Sequence, residues 1–232
     1  MRRVAVYAGT RNVYGMMAAA SKSLLAHTHM DTVYFMIEDD AFPETLPDVI
    51  QVVNVASWTD NGRMFFLPDG PNYDSQWTWM SLVRLLLPRL LHESRVLWLD
   101  VDTIVEQDIG EIFDRDLAGN YLAMVEEPVR SKYPFTYYNA GVMLMDLEEL
   151  WGDRIWRKWV DLINREPYTA KDQDVINLIC QGEILTLGPE WNSAGHITQN
   201  AEDPYIRHYA GSLRPSGAAA FARYEKAEWR VK

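Results

Sequence analysis

Short apolar runs alternate with helix-like stretches along the chain, and no other feature restricts its fold so severely. Strands are expected at Arg3–Tyr7, Thr32–Ile37, Val49–Val55, Arg95–Leu99, Tyr121–Val125, Gly141–Met145 and Ile184–Leu187. Helices are expected at Tyr14–Ala26, Trp77–Leu87, Leu147–Asn164 and Gln173–Cys180. Pro88 should stop or kink the second of these, because proline lacks the amide and crowds the preceding turn. Such alternation is the βαβ signature of an α/β fold, a mainly parallel central sheet flanked by helices. Asn61–Asp74, with Pro68, Gly70 and Pro71, reads as a surface loop. No repeat or linker divides the 232 residues, so 1–232 is read as one domain.

Charge narrows the partners. Lys and Arg number 22 against 33 Asp and Glu, a net charge of −11. Nucleic-acid binding depends on clustered cations and counterion release, so no nucleic-acid partner is expected. Adhesion to anionic lipid is disfavoured for the same reason. The single cysteine, Cys180, excludes an intramolecular disulfide and a cysteine-rich metal site, which fits a reducing, cytoplasmic compartment. No run of about 18 apolar residues is present, so no membrane-spanning helix is expected. Met1-Arg2-Arg3 leads directly into a strand pattern and not into a signal peptide.

The chemistry concentrates at Arg95-Val96-Leu97-Trp98-Leu99-Asp100-Val101-Asp102, an apolar strand running into two carboxylates. On an extended backbone, side chains at i and i+2 share a face. Asp100 and Asp102 therefore converge at the carboxyl end of a strand, where ligands of open α/β sheets bind. With no cation nearby in sequence, the pair repels itself unless a divalent ion neutralises it. Hard oxygen donors suit Mn²⁺ or Mg²⁺. The plainer reading is an acidic turn in which Asp100 caps backbone amides.

Other segments add polar groups at comparable places. Val4 to Asn12 is a strand ending in the small-residue loop Ala8-Gly9-Thr10, without the Gly-x-Gly-x-x-Gly spacing of dinucleotide folds. Asn139 opens an apolar strand, and Asp172, Gln173 and Asp174 stand at a helix start, where Asp172 can act as an N-cap. His208-Tyr209-Ala210-Gly211 precedes Arg214. The nine tryptophans and twelve tyrosines mostly read as core, with Trp77, Trp79, Trp98 and Trp151 the alternative as a sugar-stacking surface. Glu106, Asp108, Glu111, Asp114 and Asp116 read as a solvated face.

In this order and spacing, Val83-Arg84-Leu85, Leu-Asp-Val-Asp, Asn-Ala-Gly-Val, Asp-Gln-Asp and His-Tyr-Ala-Gly-x-x-Arg resemble glycosyltransferase family 8. That group contains glycogenin and the bacterial lipopolysaccharide galactosyl- and glucosyltransferases. The resemblance implies a GT-A fold, a Rossmann-like nucleotide half (about 1–103) fused to an acceptor half (about 104–232). It implies Asp100, Asp102 and His208 as Mn²⁺ ligands beneath the diphosphate of a UDP-sugar, UDP-glucose or UDP-galactose. It further implies Ala8, Thr10 and Asn12 around uracil and ribose, and Val101 between the ligands. Arg84, the Gly211 amide and Arg214 fall near the diphosphate, and Asn139, Asp172 and Gln173 near the sugar. Many relatives carry an acid where Thr10 stands, and bacterial relatives carry a Lys where Arg214 stands.

The reaction implied is retaining hexosyl transfer to a hydroxyl acceptor such as a glycan. A neutral amide is a poor nucleophile, so Gln173 favours front-face attack with the departing phosphate as base. Asp174 is the secondary candidate for a covalent intermediate, against a plainer pairing with Lys171. A binding module without turnover and a sugar nucleotidyltransferase are the alternatives. Intact Asp100, Asp102, His208 and Gln173 argue against the first. The sparse Gly9-Thr10-Arg11 loop argues against the second. The terminal Tyr224–Lys232 segment has the composition of a membrane-contacting tail, but is short enough to give weak contact at most.

Overall fold

A computed structural model describes residues 1–56, 65–73, 79–128, 133–211 and 214–232, with the backbone alone at 214–216. Nine strands are described: β1 (Val4–Ala8), β2 (Thr32–Ile37), β3 (Ile50–Asn54), β4 (Arg95–Leu99), β5 (Thr103–Val105), β6 (Leu122–Glu126), β7 (Tyr138–Asp146), β8 (Ile184–Leu187) and β9 (Ile206–His208). The described α-helices are α1 (Tyr14–His27), α2 (Leu87–Leu90), α3 (Leu147–Gly152), α4 (Ile155–Arg165), α5 (Asp172–Ile179) and α6 (Arg214–Glu225). Seven strands form one sheet in the order β3-β2-β1-β4-β7-β6-β8. Pairings β1–β2, β1–β4, β2–β3 and β6–β8 are parallel, and β7 runs antiparallel to both neighbours. The fold is thus the α/β class with a mostly parallel sheet.

Period-two alternation divides the buried strands between two cores. Val4, Val6, Val96, Trp98, Met143 and Met145 join one cluster with α3, α4 and α5. Ala5, Tyr7, Leu97, Leu99, Val142 and Leu144 join the other, with Met17, Leu24 and Leu25 of α1. Both faces of the central strands are covered, so these strands read as nearly continuous apolar runs.

Three helical expectations are corrected. Trp79–Leu86 is a 3-10 helix and not part of a regular α-helix; residues 77–78 of that expected helix, and residues 61–64 and 74 of the expected loop, lie outside the described residues. Pro88 does not end a helix but sits in the first turn of α2, where its missing amide would be unpaired anyway. The expected Leu147–Asn164 helix is two, because Arg154 adopts a left-handed conformation (φ 58°) between α3 and α4.

The pattern also hides three elements. Strands β5 and β9 are three residues each, too short to show alternation, and they pair antiparallel as a separate ribbon. Helix α6 packs on α1, with Phe221 beside Ala19 and the Glu225 carbonyl accepting from Lys22 Nζ at 3.4 Å, while Ala18 faces the sheet and Ser23 Oγ accepts from Val105 N of β5, so α1 is covered on several sides. The C-terminal segment follows it: Lys22 lies 4.8 Å over the Trp229 ring and Lys232 Nζ donates to the His27 carbonyl at 2.6 Å. Both aromatic residues of that tail, Tyr224 and Trp229, therefore pack against the fold. No described helix is long and apolar enough to cross a membrane.

Candidate functional site

The sheet order reverses at β1 and β4: the chain runs outward through β2 and β3, then returns to the other side of β1. Such a switch point leaves a crevice beyond the strand carboxyl ends. A cleft of about 270 Å³ lies there, lined by Ala8, Thr10, Asn12, Arg84, Asp100, Val101, Asp102, Asn139, Asp172, Gln173, His208 and Gly211. Of the site residues expected from sequence, these twelve come together.

The carboxylates converge by a different route from that expected. Beyond β4 the backbone turns, with Thr103 N donating to the Asp100 carbonyl at 3.2 Å, so Asp100 and Asp102 are not on one extended segment. The turn feeds β5, whose register sets Thr103 opposite His208 on β9. Tyr209 N closes the ribbon on the Asp102 carbonyl at 2.8 Å. This ribbon delivers an imidazole 106 residues away in sequence (208 − 102) to the carboxylates. His208 Nε2 lies 3.2 Å from Asp102 Oδ1 and 3.9 Å from Asp100 Oδ2. One donor atom from each of the three residues falls within 4.8 Å of the others. Two carboxylate oxygens and one imidazole nitrogen suit Mn²⁺, with further positions left for ligand oxygens.

A neighbouring cation, unseen in sequence, also bears on Asp100. The buried Arg84 donates to Asp100 Oδ1 at 2.8 Å and to the Ala140 carbonyl at 2.7 Å, and its Nε lies 3.1 Å from Asp172 Oδ2. Its guanidinium lies 4.4 Å over the Trp98 ring, whose Nε1 donates to the same Asp100 Oδ1 at 2.9 Å. Two donors thus hold one oxygen of Asp100 and leave Oδ2 toward His208. Asp172 is not the cap of α5; Lys171 holds that place. Burial first, then repulsion from Asp100, raises the Asp172 carboxyl to about 6 against the pull of Arg84. Burial alone would lower the His208 imidazole, but Asp102 and Asp100 together hold it above its ordinary value.

Gln173 is half-buried at the cleft wall. Its Oε1 accepts from Ala140 N at 3.0 Å, and its Nε2 donates to Glu127 Oε2 at 3.0 Å and to Tyr137 Oη at 3.2 Å. Asp174 does not line the cleft. It is buried, accepting from Tyr137 Oη at 2.7 Å and from Ala170 N at 3.0 Å. Lys171 Nζ donates to the Asn72 carbonyl at 3.1 Å. At the opposite wall Thr10 Oγ1 donates to Asn12 Oδ1. The side chain of Arg214 lies outside the described residues. Trp79 and Trp98 are buried, whereas Trp151 is 46% exposed and stacks on Trp156, so these do not make one sugar platform. Glu127, which lines the cleft, and Asn192, buried behind His208, escaped sequence reasoning; nothing local marks either.

Gly141 carries a steric requirement that sequence does not show. A Cβ added there would fall 2.1 Å from His208 Cε1 and 2.6 Å from Nδ1. Gly141→Ala should displace the ring and weaken Mn²⁺ binding by at least about 10-fold, as disturbing a ligand's support does elsewhere. Titration followed by the paramagnetic signal of free Mn²⁺ checks this; unchanged affinity contradicts the placement of His208.

A likeness to known proteins adds to this geometry. The model of "Glycosyl transferase family 8" matches residues 7–215. The glycosyltransferase GlyE of Streptococcus pneumoniae serotype 4 is 26% identical over 98% of this chain and 60% of its own length. A lipopolysaccharide 1,2-glucosyltransferase of Escherichia coli K12 is 28% identical over 52% of the chain and 44% of its own length. The chain therefore spans about 60% or less of these relatives. The galactosyltransferase LgtC, solved with donor and acceptor sugar analogues, superposes with a TM-score of 0.82 at 19% identity, covering 99% of this chain and 97% of that one. That likeness concerns the fold, the GT-A architecture. With the family pattern extending from β1 to the start of α6, the chain belongs to glycosyltransferase family 8.

Proposed function

We propose that the chain is a metal-dependent, retaining hexosyltransferase that moves glucose or galactose from a UDP-sugar to a hydroxyl acceptor, a glycan being the expected class. The observation that supports this reading best is the convergence of Asp100, Asp102 and His208 within 4.8 Å at the crevice beyond β1 and β4. In this reading Ala8, Thr10 and Asn12 receive uracil and ribose, and the 1–103 part serves the nucleotide. The 104–232 part serves the acceptor, and the enzyme works in the cytoplasm with weak membrane contact at most. Held by those three residues, Mn²⁺ (or Mg²⁺) would supply positive charge against the departing pyrophosphate.

The chain's own groups do the rest. The Gly211 amide and the Arg214 guanidinium add fixed charge where the leaving group becomes more negative. Asn139 and Asp172 orient the sugar hydroxyls. Gln173 offers an amide and no carboxylate, and Asp174 is buried with its oxygens on Tyr137 Oη and Ala170 N, so front-face attack is favoured over a covalent sugar–enzyme step. The acceptor hydroxyl then attacks on the face from which UDP leaves, giving its proton to the departing phosphate. The amide of Gln173, held by Ala140 N and Glu127, steadies the positive charge that develops on the sugar ring.

Gln173→Ala should slow transfer by about 10²-fold, the usual cost of one transition-state contact, while UDP affinity changes less than about 3-fold. Equal losses in rate and affinity contradict its role in the transition state. The reading itself is tested by donor screening. UDP-glucose or UDP-galactose should raise the unfolding temperature in the presence of Mn²⁺, and GDP-mannose should not. NMR of the product should show the donor's anomeric configuration kept; an inverted product overturns the proposal.

A further inference from the structure

Behind the three converging side chains runs a buried chain of polar groups in which Asn192 has no part in the substrate contacts above. Asn192 is 0% exposed and Glu127 1%, and both Asn139 and His208 are also buried. Each link between them has a direction. Gly141 N donates to Asn139 at 3.0 Å, so the acceptor there is the amide oxygen Oδ1. The other arm of that amide, Nδ2, then donates to Glu127 Oε2 at 2.8 Å, and a carboxylate oxygen is suited to accept it. Asn139 Oδ1 is left to accept from Asn192 Nδ2 at 2.8 Å. Asn192 must therefore present its carbonyl Oδ1 to His208 Nδ1, 2.9 Å away. A carbonyl oxygen only accepts, so Nδ1 carries a proton whatever the charge of the ring, and when the ring is neutral the bare nitrogen is Nε2, 3.2 Å from Asp102 Oδ1.

We propose that Asn192 is a positioning residue that fixes the neutral His208 ring in its Nδ1-protonated form, with Asn139 and Glu127 setting the direction of the Asn192 amide. The proposal rests on the metal-dependent reading above and deepens it, since a divalent ion needs the unprotonated Nε2. The Glu127 oxygen that anchors this relay also accepts from Gln173 Nε2 at 3.0 Å. One buried carboxylate thus sets the orientation of both the ligand side and the sugar side of the cleft.

The decisive measurement uses metal-free, ¹⁵N-histidine-labelled protein at a pH alkaline enough to leave His208 neutral, its signals assigned by their loss in His208→Gln. Long-range ¹H–¹⁵N spectra of the wild type should show a pyrrole-like Nδ1 and a pyridine-like Nε2. Asn192→Leu should yield a tautomer mixture and weaken Mn²⁺ binding by about 10–100-fold. Asn192→Asp, which keeps an acceptor oxygen at Nδ1 but loses the donor to Asn139 Oδ1, should restore the single tautomer and bind Mn²⁺ more tightly than Asn192→Leu. A wild-type ring protonated at Nε2, or an Asn192→Leu protein with unaltered tautomer and affinity, overturns the proposal. If Asn192→Leu does not fold, the wild-type and Asn192→Asp spectra still decide it. Failure of the metal reading looks different: the wild type keeps the expected tautomer but binds no Mn²⁺.

Discussion

Asp102→Asn should lower Mn²⁺-dependent transfer from the UDP-sugar by about 10³-fold. Charge stabilisation by a bound divalent ion contributes several kcal/mol to a transition state, and about 4 kcal/mol corresponds to that factor. The substitution keeps the shape and removes one of two carboxylates from a group that also includes His208, whose Nε2 lies 3.2 Å from Asp102 Oδ1. The fold should survive, because the substitution is isosteric and the ribbon that carries Asp102 is held by backbone groups, Tyr209 N donating to the Asp102 carbonyl at 2.8 Å. Initial rates with and without chelator, alongside thermal unfolding, check both statements. Full activity in Asp102→Asn, or wild-type activity unaffected by chelator, removes the cation from the mechanism.

Arg84→Met should be the most destabilising single change at the site. Arg84 is 6% exposed and bridges Asp100 and Asp172, at 2.8 and 3.1 Å. Breaking a buried ion pair from one side leaves an uncompensated charge and costs about 3–5 kcal/mol. In a chain of this size that lowers the unfolding temperature by about 6–20 °C. The deficit should also depend on pH. Burial already raises Asp172 to about 6, and removing Arg84 withdraws the one influence of a neighbouring cation that lowers it. A carboxyl whose pKa is higher folded than unfolded favours the folded state as it takes up its proton. The deficit should therefore shrink between pH 8 and pH 5. A constant deficit across that range, or none at all, contradicts the bridging role of Arg84.

Three strands were legible because their apolar runs end where the strands do: Thr32–Ile37 and Arg95–Leu99 within the sheet and Ile184–Leu187 at its edge. Asp100 was legible because a strand end is a local feature. His208 was less so. Its place depends on the β5–β9 ribbon, whose three-residue strands carry no period, and only the family pattern pointed to it. The break at Arg154 was hidden because apolar spacing runs through α3 and α4 alike, and only the left-handed backbone separates them. Arg84 illustrates a different limit. Sequence places it in an apolar helix, but its pairing with Asp100 and Asp172 follows from how Trp79–Leu86 packs under the sheet. Asn192 and Glu127 matter through partners 53 and 12 residues away, so no local pattern marks them.

The claim on which the account turns is that a divalent cation, held by Asp100, Asp102 and His208, meets the diphosphate of a uridine nucleotide. Anomalous diffraction from crystals soaked with UDP and Mn²⁺ measures it directly. The account predicts a manganese peak between the three side chains, with oxygens of both phosphates among its ligands and uracil beside Ala8, Thr10 and Asn12. UDP bound in the cleft with no manganese between those side chains, or manganese bound there with UDP elsewhere, would contradict it.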